Sequence, residues 1–380
     1  MSTQHFFIEP SDVLFLRGNK LFGDPGSYGE ALMPPWPSVA AGALRSWLLA
    51  TDGTDLAAFV RGDEAHQQLG TPKAPGSFRL VDFQLALCGK NGAVEVLYRV
   101  PADLELSTDD AKALKVKASR PQELPAGIQS SARLPKLPIL AEGNSRQKPV
   151  SGYWLKAAGW RQYLEGKVPA ADQFVKSSEL WAVDERIGVG LDPALRRAED
   201  GKLFGTQALV PKPGFGFLAS VAGATLPPSG NLRFGGDGRA ASVRREDAVA
   251  MDTRPANVQA LLQHRRLRLV ALSPCQCPGG WLPGDVAGQR FELHGVRGRI
   301  AGATVPRAEV VSGWDLAERG PKPAERMAPA GSVWWIDELE ASGEALAALL
   351  DRGLWAHPAG SVTAREAEGF NRIAIAAWTQ

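Results

Sequence analysis

The sequence predicts an α+β protein of two ferredoxin-like (RRM-like, βαββαβ) domains, residues 1–250 and 251–380, with a large insertion in the first at about 101–170. Three observations predict it. Strand, helix or helical turn, strands, helix, glycine-rich loop and strand follow in that order in each half of the chain. A length of 380 residues suits two to three domains, at roughly 150 residues each. A proline-rich basic stretch with weak periodicity interrupts the first half.

Residues 5–16, HFFIEPSDVLFL, are short, apolar and aromatic, as a buried opening strand should be, with an irregularity at Pro10. Four glycines and four prolines between Arg17 and Pro37 make the next segment a loop. Pro37 and Ser38 then suit a helix start, and Val39, Leu44, Trp47 and Leu48 supply its apolar stripe. Residues 78–88 and 93–100 read as paired strands around Asn91-Gly92. Beyond the insertion, a short amphipathic helix is expected at about 153–165. Strand patterns return in ERIGVGLD, KLFGTQALVP and GFGFLASVAG, between Glu185 and Gly223. In the second half, strands are expected from Arg265, in GVRGRIAG, VPRAEVVSGWD and GSVWWID, and at Arg372–Trp378, with a helix over 343–352. The second copy has a weak first helix.

Charge is close to balanced, at +2 overall, so only its local distribution bears on partners. Between Ala111 and Val150 there are eight Lys/Arg against two acids, Glu123 and Glu142. Two readings fit that stretch: a solvated loop, or an arm that tracks a phosphate backbone and pushes Leu134, Leu137 or Ile139 between bases. The segment Gly235-Gly236-Asp237-Gly238-Arg239 also has two readings. It is a tight turn needing positive φ, or a close main-chain approach to a phosphate with Arg239, Arg244 and Arg245 supplying charge. The window 331–370 has seven acids against two arginines, which suits a solvated face or a protein contact. Neither a P-loop nor a strand–GxGxxG–helix unit is present.

Three cysteines make no disulfide framework and fit a reducing cytosol, so a cytoplasmic protein is expected. Cys275-x-Cys277 lacks the second pair that a closed zinc site needs, and neither metal nor cofactor is expected. The opening residues have no signal-peptide pattern, and no apolar run reaches the ~18 residues of a membrane span.

The opening FFIEPSDVLFLRGNKLFGDPGSYGEALMPPWPSVAAGALRSWLLA resembles the third subunit of the Cmr complex, a type III-B CRISPR effector, in the RAMP superfamily. ERIGVGLD with GKLF at 185–204, FGGDGR at 234–239 and PAGSVWW at 329–335 are similar as well. The resemblance implies two ferredoxin-like domains, binding of the 5′ handle of the CRISPR RNA, and no nuclease activity of its own. It implies two protein partners, the large polymerase/cyclase-like subunit and the backbone RAMP subunits. It also implies a protruding β-hairpin thumb, expected within 111–150. No RNP1 aromatic motif is present, so base stacking on an open sheet face is not expected.

The candidate RNA-binding residues are Arg17, Lys20 and Arg45 near the N-terminus, Arg133 and Lys136 in the insertion, and Gly236, Gly238 and Arg239 at the glycine-rich loop. No catalytic residue is assigned. The alternative is a metal-independent endoribonuclease acting on CRISPR precursor RNA, with His5 or His264 as general acid or base. A third reading is a protein–protein adaptor carried by the acidic C-terminal helix and exposed tryptophans.

Overall fold

A computed structural model describes all residues except 1–2, 19–27, 125, 128–129, 132, 141–147, 193, 248, 250, 286–288, 316, 358–361 and 380. The candidate residue Lys20 lies outside the described residues, as do Glu142 and Arg146 of the basic stretch. The protein is mixed α/β, rich in strands and poor in helices. It divides into two compact units. Unit 1 holds residues 1–94, 177–247 and 310–324, and unit 2 holds 95–176, 248–309 and 325–380.

In unit 1 the elements that matter are β1 (Gln4–Pro10), α1 (Pro37–Thr51), β2 (Arg79–Cys88), β3 (Trp181–Asp192), β4 (Arg197–Pro211), β5 (Phe215–Ala222), β6 (Ser229–Arg233) and β7 (Ala240–Glu246). The order across the main sheet is β6-β7-β1-β5-β2. Strand β5 is antiparallel to both β1 and β2, so β1 and β2 are parallel, separated by one strand and joined through α1. That is a split βαβ. Phe6, Phe7 and Ile8 are all fully buried, which explains the unbroken apolar run of β1. Helix α1 buries Ala40, Leu44, Trp47 and Leu48, spaced to line one face. Trp47 meets Phe6 edge to face at 6.2 Å. Where a second helix of a βαββαβ unit would lie, between β5 and β7, the chain instead forms β6 and the glycine-rich turn.

Unit 2 is built on β8 (Leu267–Ala271), β9 (Arg290–Leu293), β10 (Val296–Thr304), β11 (Val333–Glu340), α2 (Gly343–Arg352) and β12 (Ile373–Ala376), in the sheet order β9-β10-β11-β8-β12. Strand β11 is antiparallel to β8 and β10, so this sheet repeats the split arrangement. No helix joins β8 to β10 among the described residues, in line with the weak first helix of the second copy. Ser342 caps α2 by accepting from Ala345 N at 3.1 Å. Trp334 and Trp335 are both buried. Each sheet thus keeps one of the two helical crossovers of a full βαββαβ unit, α1 between β1 and β2 or α2 between β11 and β12.

The basic insertion differs from an extended arm. Strands Leu104–Thr108, Leu114–Gln122 and Leu137–Leu140 pair antiparallel in that order. Lys136 N donates to Ala301 O of β10 at 2.9 Å, which docks this small sheet on unit 2. Leu134, a candidate wedge between bases, is buried in the unit 2 core. Proline hid these strands from the sequence pattern. Pro121 sits in one and pairs with Pro138 of its neighbour, positions where a lost N–H is tolerated at a sheet edge. The helix expected at 153–165 begins only at Ala157, because Tyr153–Lys156 forms a strand.

A buried polar cluster ties unit 2 together. Asp103 accepts from Arg268 Nη1 at 2.6 Å and from Tyr163 Oη at 2.8 Å. Arg268 also donates to Tyr163 O and to Ala377 O, each at 3.0 Å. Asp103 and Tyr163 have no solvent exposure. Burial holds the Tyr163 hydroxyl well above its usual pKa, so it stays a donor. Asp103→Ala should lower stability by about 3–5 kcal/mol, since it strands a buried guanidinium. Urea denaturation measures this, and a loss below about 1 kcal/mol would contradict the role assigned to the cluster.

Candidate nucleic-acid interface

In unit 1 the glycine-rich turn wraps the chain just beyond β1. Phe234 N donates to Arg239 O at 2.8 Å, closing the turn. Gly236 N donates to Phe15 O at 2.8 Å, so that N–H is already used within the protein. Gly235 has φ +80°, and a Cβ there would lie 2.9 Å from Phe15 O. The close approach that requires glycine is therefore to the protein's own backbone. Gly238, at φ +63°, faces open space and is exposed.

Two guanidinium groups cover the buried Phe15 ring, Arg239 at 5.2 Å and Arg186 at 5.4 Å from its centre. Arg239 Nη1 also pairs with Asp12 Oδ2 at 2.8 Å, and Arg186 Nε with Asp184 Oδ2 at 2.8 Å. The Arg239 Nε is buried with no hydrogen-bond acceptor among the described residues. Gly236 and Arg239 are thus brought together around Phe15, with exposed Arg17 two residues further along. Arg45 lies half-buried on α1.

Strands β3 and β4, of 12 and 15 residues, form a long two-stranded ribbon. At ~3.3 Å per residue its first strand spans about 40 Å. Its base is held by Leu14, which exchanges backbone hydrogen bonds with Leu209 at 2.8 and 2.9 Å. Tyr28 and Gly29 add a short parallel pairing to Gly205 and Thr206. Tyr28 Oη donates to the Glu185 carboxylate at 2.8 Å. Further out, Ile187, Val189, Leu191 and Leu203 fall on one face by strand alternation, and Ile187 is 78% exposed. On the opposite face Phe204 lies over Gly188 and Lys202 over Gly190, where any Cβ would be within 3 Å. Glycine in ERIGVGLD therefore makes room for cross-strand neighbours. An exposed apolar stripe of this length marks an interaction surface.

Arg133 and Lys136 belong to unit 2. Lys136 Nζ lies 3.7 Å from Asp337 Oδ2 and 5.3 Å from the centre of the Trp378 ring. Arg133 is exposed, and its carbonyl accepts from Gln289 Nε2. On the same unit, a cleft of about 800 Å³ is lined by residues including Arg265, Arg266, Arg290, Arg297 and Arg299. None of these was a sequence candidate. The alternation of Arg297 and Arg299, with Arg290 across the hairpin, was the available signal. It meant nothing until the hairpin register placed Arg290 opposite Arg299.

The two candidate histidines stand in different settings. His5 Nδ1 is 2.8 Å from Ser220 Oγ, and burial holds its pKa below the usual histidine range. His264 ends the helix Val258–His264 in unit 2. Cys275 and Cys277 are buried thiols, and burial pushes Cys277 up to about 12. Among the described residues no group of three or more His, Cys, Asp or Glu could hold a metal ion. No helix among them is long and apolar enough to cross a membrane.

A family model described as CRISPR-associated protein (Cas_Cmr3) matches residues 6–378. No curated protein sequence matches. Among solved structures, the chain is similar to one in the cryo-EM structure of the type III-B Cmr-beta complex bound to cognate target RNA and AMPPnP, state 1. The identity is 14%, the TM-score is 0.45, and the match covers 87% of this chain and 86% of that one. The same values hold for the Cmr-beta complex bound to cognate target RNA alone. For the apo Cmr-beta structure the identity is 12% and the TM-score 0.30, covering 65% of this chain and 98% of that one.

The glycine-rich turn can be tested directly. Gly235→Ala should destabilise the chain by about 1–2 kcal/mol from its left-handed backbone alone, and by more from the contact with Phe15 O. Gly238→Ala meets open space and should cost less. Thermal melts of the two variants compare them, and equal losses would refute the close-approach explanation.

Proposed function

The chain belongs to the Cas_Cmr3 family of CRISPR-associated proteins, and on that premise we propose that it is a non-catalytic subunit of a type III-B effector complex that binds the 5′ handle of the CRISPR RNA. In this reading it also docks the large polymerase/cyclase-like subunit and the backbone RAMP subunits, and it works in the cytoplasm. The two split sheets are then degenerate ferredoxin-like copies. One falls within 1–250 and the other within 251–380, and each keeps one helical crossover.

The observation that carries the reading is the meeting of three features at Phe15: the glycine-rich turn, Arg239, and Arg186 of the ribbon. Arg239 keeps part of its guanidinium exposed beside Asp12, a cation still open to an anion, and Gly238 leaves the outer side of the turn open. A phosphate of a single-stranded 5′ end fits that demand. The family's thumb is better sought in the ribbon β3–β4 than in 111–150. The insertion is docked on β10, whereas the ribbon presents exposed Ile187, Val189 and Leu191. Apolar side chains of this kind can wedge between bases. His5 pairs with a serine and is neutral at pH 7, with no cationic partner in its hydrogen bond. A neutral imidazole can serve as a general base, but cleavage of RNA also needs a cation to stabilise the phosphorane, and this pair supplies none.

Arg239→Glu should lower affinity for handle RNA at every salt concentration, measured by fluorescence anisotropy on protein whose thermal melt is unchanged. Unaltered binding would remove Arg239 from the site. Ile187→Asp should leave the melt unchanged, because the side chain is exposed, and should weaken guide-RNA protection in the assembled complex. Repeat RNA incubated with the protein in EDTA should stay intact; clean cleavage would instead establish the endoribonuclease.

A further inference from the structure

We propose that the outer groove of the unit 2 sheet is a second, sequence-independent contact for the phosphodiester backbone of single-stranded RNA. This rests on the RNA-binding reading above and adds a site to it.

Arg290 of β9 stands directly opposite Arg299 of β10. Like charges directly opposite across a strand pair repel, so this pair needs compensation. Arg299 has it: its Nε and Nη2 each donate to the Asp337 carboxylate at 2.8 Å, and Glu338 lies 3.3 Å away. Arg297 pairs with Glu292 at 2.8 Å, and Arg265 with Glu340 at 3.4 Å. Arg290 is exposed and has no side-chain partner among the described residues. Arg266, in the same groove, has a buried Nε with no acceptor. The four carboxylates of the groove are thus spent on three arginines and Lys136, and the guanidinium groups of Arg290 and Arg266 have no carboxylate partner among the described residues.

Trp378 adds a second kind of contact. Its half-buried ring is flanked by Arg266 at 5.7 Å and by Lys136 at 5.3 Å. A cationic rim beside an aromatic face suits a single strand, in which phosphates meet the cations and a base meets the ring. The alternative occupant is an acidic protein segment. The groove favours the nucleic acid because the Trp378 indole offers a carboxylate nothing, whereas each nucleotide brings both a charge and a ring.

The test uses the full chain and two fluorescein-labelled single-stranded RNAs of about ten nucleotides, the repeat-derived handle and an unrelated sequence. Anisotropy is read between about 50 and 200 mM salt. Arg290→Glu should weaken both RNAs by a similar factor, and should lower the slope of log affinity against log salt by about 1. Arg290→Lys should keep most of the affinity. If Arg290→Glu binds both RNAs as the wild type does while Arg239→Glu loses the handle, the groove is wrong and the handle reading stands. If the wild type binds neither RNA, both readings fall together. If polyglutamate binds in an Arg290-dependent way and RNA binding ignores Arg290, the groove takes an acidic protein and this proposal is overturned.

Discussion

Unit 2 depends on one buried charge pair, Arg268 with Asp103. Neither side chain has water to fall back on, so each must be satisfied by protein. Asp103 is met by Arg268 and the Tyr163 hydroxyl, while the guanidinium also reaches two backbone carbonyls and lies 4.3 Å over the Tyr163 ring. Burial works against the Arg268 charge, and the Asp103 carboxylate offsets it, so its pKa is raised. A buried pair of this kind adds little net stability over a well-packed apolar core, but it is costly to break. Its value here is geometric. Its four contributors are the start of the insertion, the helix Ala157–Leu164, the central strand β8, and Ala377 just past β12. Each is held in register by a bond that only one arrangement satisfies.

The docking of the insertion follows from that clamp. Ser119 N and Oγ both donate to Asp103 O, at 2.7 and 3.0 Å, so the second insertion strand is fixed beside the charge pair. Gly302 of β10 then matters for space, because a Cβ there would lie 3.2 Å from Lys136 O and 3.3 Å from Pro121 Cβ. A basic, proline-rich segment that reads as a loose arm is thereby made part of a sheet surface. Its lysines and arginines gain defined positions relative to the groove on β9 and β10.

In unit 1 the organising residue is Phe15. Its carbonyl is taken by the glycine-rich turn and its ring by arginines from that turn and from the ribbon. The arginines are ordered by packing as well as by charge, which lowers the entropy lost when such side chains bind a ligand. The ribbon beyond them exposes apolar residues that a monomeric surface has little reason to carry. A rigid base with an exposed apolar tip is the form expected of an element that acts on a partner.

The sequence by itself determined the opening strand, the first helix, the tight glycine turn at 235–238, the C-terminal helix and the family. These depend on local patterns, such as Pro37 at a helix start or the apolar run in GSVWWID. It also singled out Gly236 and Arg239, through a glycine run beside an arginine. Only the tertiary structure decided what those residues touch. Gly236 spends its N–H on Phe15, a neighbour in space that is distant in the chain. Likewise, the ribbon at 181–211, the docking of the insertion and the Arg290–Arg299 pairing depend on strand register, and register is set by contacts between segments far apart in the chain. The Asp103–Arg268 pair, 165 residues apart, carries no local signature at all. Local propensity can announce a strand, but which strands meet, and which charges they bring together, is settled only when the whole core closes.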